Sequence, residues 1–340
     1  MRTVLESLNQ ALHQLMTTDE RVMILGEDIL DPYGGAFKVT KGLSSAFPDR
    51  VLTTPISEAA IVGLASGLAL RGLRPVAEVM FGDFLFLASD QLVNHAAKFQ
   101  WMYNDKVRVP LVLRAPMGAR RGYGPTHSQS IEKHFMGVPG LWLVAPHVLS
   151  SPGDLLRQAV TACDAPVVFI ESKTCYGRPL VANVTAMTAT TISDDASPFP
   201  TTLLRHDRSG HPDGLLWCYG GMVPHCLEAV QRLRDVEGLF IDLAAPSQLS
   251  PVPSIHVRQV LESTSPSVCI YAEEASVEHG WSAEMLAQVQ QHAAASEHLP
   301  AAVTHARIGA AHTPIASSRE LERAALPQVD DIVRRVLELF

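Results

Sequence analysis

Four short segments carry side chains able to move a proton, stack on a ring or hold a charge. The sharpest is Thr54-Pro55-Ile56-Ser57-Glu58-Ala59-Ala60-Ile61-Val62-Gly63. In it one carboxylate, Glu58, stands between a strand pattern (50–54) and a helix pattern of Ala, Gly, Ser and aliphatics that runs to Leu70. A carboxylate at the head of so apolar a helix must be paired, protonated or in use, because burying it bare is costly. The structural alternative is an acid favoured by the helix dipole and the free N–H groups of the first turn.

The second segment, Arg120-Arg121-Gly122-Tyr123-Gly124-Pro125-Thr126-His127-Ser128-Gln129-Ser130, follows a strand pattern at 110–114. Loops after parallel strands line ligand crevices, so His127 is well placed for proton transfer near neutral pH. Read structurally, it is a helix-capping loop with an exposed histidine. In the third, Glu78-Val79-Met80-Phe81-Gly82-Asp83-Phe84-Leu85-Phe86, a strand ends in three closely spaced aromatics. These offer a flat face to a ring, or simply fill the core. The fourth, Leu25-Gly26-Glu27-Asp28 followed by Tyr33-Gly34-Gly35-Ala36-Phe37, sets acids beside a glycine turn. It is no phosphate cradle: neither G-x-x-x-x-G-K-[ST] nor G-x-G-x-x-G occurs, and two acids would repel a phosphate.

The elements that must position these residues follow from the hydrophobic pattern. Continuous Val/Ile/Leu runs at 22–26, 51–54, 75–81, 110–114, 141–145 and 166–171 alternate with helical stretches near 57–71, 83–103 and 151–162. Such alternation predicts a parallel sheet covered on both faces, with ligands at the carboxyl ends of its strands. From 177 to 200 the pattern dissolves into Ala/Thr and Ser/Asp/Pro stretches, read here as a linker. A second, smaller α/β unit over 201–340 has strands at 215–219, 239–243, 268–272 and 303–308, with helices near 223–235, 254–263, 280–293 and 328–339.

Composition sets the outer bounds. The chain has 340 residues, more than one core usually supports, and 47% hydrophobic residues, which suits a packed protein. A net charge of −8 argues against nucleic acid or an anionic membrane as a main partner. No apolar run reaches the roughly 18–20 residues of a membrane span. The chain opens on a helical pattern (Leu5, Leu8, Leu12, Leu15) without a signal or transit pattern, so a cytoplasmic location is expected. Five cysteines form no C-x-x-C pair and are expected as reduced, mostly buried thiols. The fourteen histidines form no H-E-x-x-H motif, so no metal site is assigned.

Taken together, the four segments resemble the β subunit of the thiamine-diphosphate-dependent 2-oxo-acid dehydrogenase decarboxylase component, the family of pyruvate, branched-chain and acetoin dehydrogenase β chains. The carrying runs include Gly35-Ala36-Phe37-Lys38-Val39-Thr40-Lys41-Gly42-Leu43, Gly72-Leu73-Arg74-Pro75-Val76-Ala77-Glu78 and Asp90-Gln91-Leu92-Val93-Asn94-His95-Ala96-Ala97-Lys98, besides the segments above. They cover 22–176 almost continuously. Thinner traces follow at Tyr219-Gly220-Gly221-Met222-Val223, Glu273-Glu274 and Leu321-Glu322.

The resemblance implies a pyrimidine-binding α/β domain of transketolase type over 1–176, the linker 177–200, and a smaller transketolase C-terminal-type α/β domain over 201–340. It implies that Glu58 bonds N1′ of the cofactor's aminopyrimidine, where a buried carboxyl can exchange a proton and so help to activate thiazolium C2. It further implies that Phe84 stacks on the pyrimidine, that His127 serves acyl transfer to lipoamide, and that Glu27 lies near the cofactor on a proton path.

The family's Gly-Asp-Gly motif for Mg2+ and diphosphate is absent from this chain. In the family it sits on a separate α subunit, so an α2β2 assembly is implied, together with docking to a lipoyl-bearing acyltransferase. Two departures bear on that docking: Ala244-Ala245-Pro246-Ser247-Gln248-Leu249-Ser250-Pro251-Val252-Pro253, and Gly309-Ala310-Ala311-His312-Thr313-Pro314. They leave open a variant enzyme with a different acyl acceptor, or a non-catalytic interface subunit. Some relatives bind a structural K+ near Leu111 and 160–165. Cys163 and Ala165 here replace oxygen-bearing side chains, which weakens that site. Leu87, where several relatives carry Glu or Gln, makes its part of the pocket more apolar.

Overall fold

The computed structural model describes residues 2–296 and 303–340. Helix α1 (Val4–Thr18) opens with a capping box between Thr3 and Glu6 and turns Leu8, Leu12 and Leu15 inward. Each of those leucines contributes about 1.5–3 kcal/mol by burial. The chain continues through β1 (Val22–Gly26), α2 (Leu43–Ala46), β2 (Val51–Thr53), α3 (Glu58–Leu70) and β3 (Arg74–Glu78). Next come α4 (Ala97–Met102), β4 (Val112–Met117), β5 (Trp142–Val144), α5 (Pro152–Ala162) and β6 (Val167–Ser172).

The second half holds β7 (Met187–Asp194), β8 (Ser197–His206), β9 (Gly214–Cys218), α6 (Val223–Arg232), β10 (Ile241–Pro246) and β11 (Gln248–Ser250). It ends with α7 (Ser254–Thr264), β12 (Val268–Ser276), α8 (Trp281–Ala295), β13 (Thr304–Ala310), α9 (Arg319–Ala325) and α10 (Val329–Leu337).

The first sheet has the order β11-β5-β6-β4-β3-β1-β2 and the second β13-β12-β9-β10-β8-β7. In the first sheet β1 pairs in parallel with both β2 and β3, so the chain leaves β1 toward one edge and returns on its other side. That reversal opens a crevice at the carboxyl ends of β1 and β3, where ligands of doubly wound sheets bind. The parallel core expected from the Val/Ile/Leu runs is present, with β3, β4 and β6 in continuous parallel register.

Three expectations need correction. Residues 177–200 are no structureless linker: β7 and the start of β8 lie within them and form an antiparallel hairpin at the edge of the second sheet. The Thr-rich run reads as loop by polarity, yet its β-branched side chains suit a half-exposed edge strand. Next, 83–103 is not one helix but a 3-10 turn (Gly82–Ala88), a π segment (Gln91–Ala96) and α4. Such irregular turns are common at functional sites. Finally, β11 comes from the second half yet pairs antiparallel with β5 of the first sheet, Gln248 against Val144 and Ser250 against Leu143. The segment 244–253, which departs from the family pattern, is thus largely interior, since Gln248, Leu249 and Ser250 are all buried.

Candidate active site

The site grows from the carboxyl ends of β1 to β4 and β6. Glu58 is the first residue of α3, only 5% exposed, and no hydrogen-bond partner reaches its carboxyl among the described residues. Glu27, just past β1, is buried beside it, and its Oε1 also lacks a partner. Burial raises the Glu27 carboxyl above its ordinary pKa; the Glu58 and Asp28 charges push the same way, and the Ser57 amide opposes them. Buried polar atoms are nearly always satisfied, so the unpartnered Glu27 Oε1 beside the Glu58 carboxyl points to a place for a further group.

The other two predicted residues meet each other. The Phe84 and His127 rings lie 5.2 Å apart, edge to face, and Phe81 stands 4.8 Å from His127 and 5.7 Å from Phe84. The aromatic layer continues from Phe81 to Phe37 at 5.8 Å and on to Tyr176, stacked at 5.2 Å. Beneath it Tyr176 donates its hydroxyl to Glu171 Oε2 at 2.5 Å.

Arg114, fully buried on β4, donates Nε and Nη2 to the two Glu171 oxygens at 2.7 Å each, and Nη1 to Glu78. Burial works against the Arg114 charge, but Glu171 and Glu78 together hold it protonated. This network pins the carboxyl ends of three neighbouring strands under the aromatics.

His127 sits on a loop, 118–130, that is tied down from three directions. From the 3-10 turn, Asp83 Oδ1 accepts the Gln129 amide at 3.1 Å and its side-chain amide at 2.9 Å. From β12, Glu274 Oε1 accepts the Ala119 amide at 2.7 Å and the Ser130 hydroxyl at 3.3 Å. From α9, Glu322 accepts the amides of Arg120 at 2.8 Å and Gly122 at 3.0 Å. Gly118 has φ +93°, and a Cβ there would meet Glu274 Oε1 at 2.6 Å, so only glycine lets the loop close onto this carboxylate. At the ring, Thr126 Oγ1 lies 2.9 Å from Nδ1.

Sequence reading missed Asp83, Lys173 and the Arg114 network. It met Glu274 and Glu322 only as family traces without roles, because their contacts cross 144 to 202 positions. A hollow of about 330 Å³ flanks the loop between Pro125, Ser128, His134, Glu274 and His312, and Glu58 is not among its walls.

Helix α3 is apolar on every side. One face buries Ile61, Val62, Ala65 and Ala69, while Leu64 stays 47% exposed and Ile56, just before the helix, 85%. Phe86 and Leu87 of the adjoining turn are exposed too. A Cβ on Gly67 would meet nothing within 4 Å, so this chain itself does not require glycine there. A helix apolar all round belongs in an interior, and its open face awaits a partner.

The weakened K+ region has other donors on its carbonyls. The carbonyls of Val160 and Cys163 are taken by Arg74 Nη1 at 2.6 and 3.3 Å, and Arg74 Nη2 reaches Asp164 Oδ1 at 3.2 Å. A guanidinium already supplies the positive charge at that place.

Both halves match transketolase architecture: the transketolase pyrimidine-binding domain over residues 1–179 and the transketolase C-terminal domain over 204–332. The solved structure of a split-gene transketolase, an inactive β4 tetramer, shares the fold with a TM-score of 0.73 at 18% identity, covering 99% of this chain and 98% of its own. The closer likenesses are narrower in kind. The chain is 36% identical to pyruvate dehydrogenase E1 component subunit beta-2 of Oryza sativa subsp. japonica, over 98% of this chain and 84% of that protein. It is equally 36% identical to the acetoin:2,6-dichlorophenolindophenol oxidoreductase β subunit of Cupriavidus necator, over 96% and 94%. The chain belongs to this family of 2-oxo-acid dehydrogenase-type β subunits.

Proposed function

We propose that the chain is the β half of a thiamine-diphosphate-dependent 2-oxo-acid decarboxylase/dehydrogenase, acting on pyruvate or a short branched relative and passing the acyl group to lipoamide. The observation that carries this reading is the juxtaposition of two buried carboxylates, Glu58 and Glu27, the latter with an unpartnered oxygen, at the head of an apolar helix whose outer face is open.

The residues fit the cofactor's pyrimidine half. Glu58 would hold and exchange a proton at N1′, with Glu27 as its neighbour on the proton path. Phe84 would offer its face to the ring. When bound, the cofactor supplies the electron sink for loss of CO2. His127, fixed among aromatics, would handle the proton of the acyl-transfer step at the mouth.

The diphosphate and Mg2+ would be held by an α subunit, since this chain carries no Gly-Asp-Gly. The open apolar face of α3, with Ile56, Leu64 and Leu87, supports that partner in an α2β2 assembly. No described helix is long and apolar enough to cross a membrane. A cytoplasmic location and a lipoyl-bearing acyltransferase partner belong to the same proposal.

The test is 2-oxo-acid decarboxylation by the purified α/β complex with an artificial electron acceptor. Turnover in wild type and its loss in Glu58→Gln are expected. Equal turnover in both would overturn the role of Glu58.

A further inference from the structure

Lys173, just past the end of β6, is one of the largest fully buried side chains of the protein. Its Nζ lies 5.0 Å from the centroid of the Phe81 ring and 5.4 Å from that of Tyr123. It donates a hydrogen bond to the main-chain carbonyl of His127. In return its own carbonyl accepts Arg121 Nη2 at 3.1 Å. The loop 118–130 is thus anchored to β12, α9 and the 3-10 turn at its ends, while its histidine-bearing apex is held from β6 by one ammonium group. No other hydrogen bond to the His127 main chain comes from outside the loop among the described residues; the His127 amide is satisfied inside it, by Gly124 at 3.3 Å.

We infer that Lys173 is a positioning residue for His127, a charged clasp that sets where the imidazole sits and releases the apex when its proton is lost. This rests on the reading of His127 as the acyl-transfer histidine, but the clasp itself can be tested without it. The ammonium is suited to both contacts: a charged donor strengthens the bond to a carbonyl, and a cation is drawn to the aromatic faces beside it. A neutral amine keeps a weak donor and loses both advantages.

Charged groups face Lys173 from every side that packs on it: Asp83 from the 3-10 turn, Glu274 from β12, Glu322 from α9 and Arg121 from the loop. Burial dominates and, with Arg121 acting the same way, brings the ammonium down to about 8 despite the three carboxylates. The proton is therefore lost within an accessible pH range. The sign is fixed: the clasp is closed below that value and opens above it.

Two arms test it on the α/β complex. The first is the rate of tryptic cleavage after Arg121, measured between about pH 7 and 9.5 against cleavage at a site in the second domain. Wild type should become more susceptible as pH rises, and Lys173→Arg, which stays charged, should show a flat profile. Lys173→Met should be susceptible throughout. The same rising profile in wild type and Lys173→Arg would overturn the clasp, even if Lys173→Met failed to fold.

The second arm compares acyl transfer to lipoamide with turnover by an artificial acceptor. Lys173→Met should lower the first relative to the second by roughly tenfold or more, as for a lost hydrogen bond to a charged group. His127→Asn is the reference. A large effect of His127→Asn with none of Lys173→Met would sink the clasp alone. No effect of His127→Asn would sink the acyl-transfer reading and leave the proteolysis arm to decide the clasp.

Discussion

Glu274 of the second domain accepts the backbone amide of Ala119 at 2.7 Å, across 155 positions of sequence, and so a carboxylate of one domain shapes the His127 loop of the other. The same side chain takes the Ser130 hydroxyl and pairs with Arg120, which makes it the hinge-pin of both loop ends. Glu274→Ala should leave the buried Ala119 amide unsatisfied, while the Arg120 guanidinium keeps Pro327 and Gln328 as acceptors, and cost about 1–3 kcal/mol. Calorimetry should record that loss, and the His127-dependent step should slow more than decarboxylation. An unchanged melting temperature would show that the loop is held without it.

Glu58 should matter to turnover more than to folding. Glu58→Gln keeps shape but cannot exchange the proton, so kcat should fall by about 10²–10⁴-fold, the range of a lost general acid or base. Folding should be little affected, because no internal partner is lost. A variant that melts far below wild type would show that Glu58 is structural after all.

Glu132 offers a pH-dependent prediction. It is fully buried with Oε2 unpartnered, and burial, opposed by the Tyr219 hydroxyl bond, lifts its carboxyl to about 7 from 4.5. The folded protein therefore binds this proton more tightly than the unfolded chain. Its contribution to stability is complete below pH 4.5 and is lost as pH rises through about 7. Glu132→Gln should match wild type in acid and exceed it above pH 7, by of order 1–3 kcal/mol. Denaturant melts at the two ends of that range are the check.

Arg74 should make the protein indifferent to K+. With its guanidinium on the Val160 and Cys163 carbonyls, melting temperatures in potassium and sodium buffers should coincide. Arg74→Met should destabilise by about 1–3 kcal/mol through those orphaned carbonyls. A potassium-specific rise in the wild type would show that the site still takes the ion.

Most of the first domain could be read from its Val/Ile/Leu runs, because a strand buried on both faces writes its burial directly into sequence. Glu58 and His127 were legible from residue type and place in the pattern, whereas Phe84 and all the roles came from the family resemblance. Their packing was not legible: Glu27 meets Glu58 because β1 pairs with β2, and Phe84 meets His127 because β3 pairs with β4. The hairpin in 187–206 escaped because the exposed Thr run of β7 carries no hydrophobic period, and β11 because three residues cannot show one. Lys173 gave no signal at all. A lysine is expected outside, and only the Phe81, Tyr123 and His127 carbonyl contacts explain why this one is inside.

The pairing of β11 with β5, with Ser247 bridging the Ala145 amide at 2.7 Å and the Pro200 carbonyl at 3.0 Å, stitches the second half of the chain into the sheet of the first. Cooperativity follows from that stitch. Neither half can melt without tearing a strand from its neighbour, so heating should give one transition rather than two. A gene cut between the halves would leave the first with the raw edge of β5 open to the wrong partner. The β11–β5 pairing makes the two halves of this chain one mechanical unit, whatever else the working enzyme divides between polypeptides.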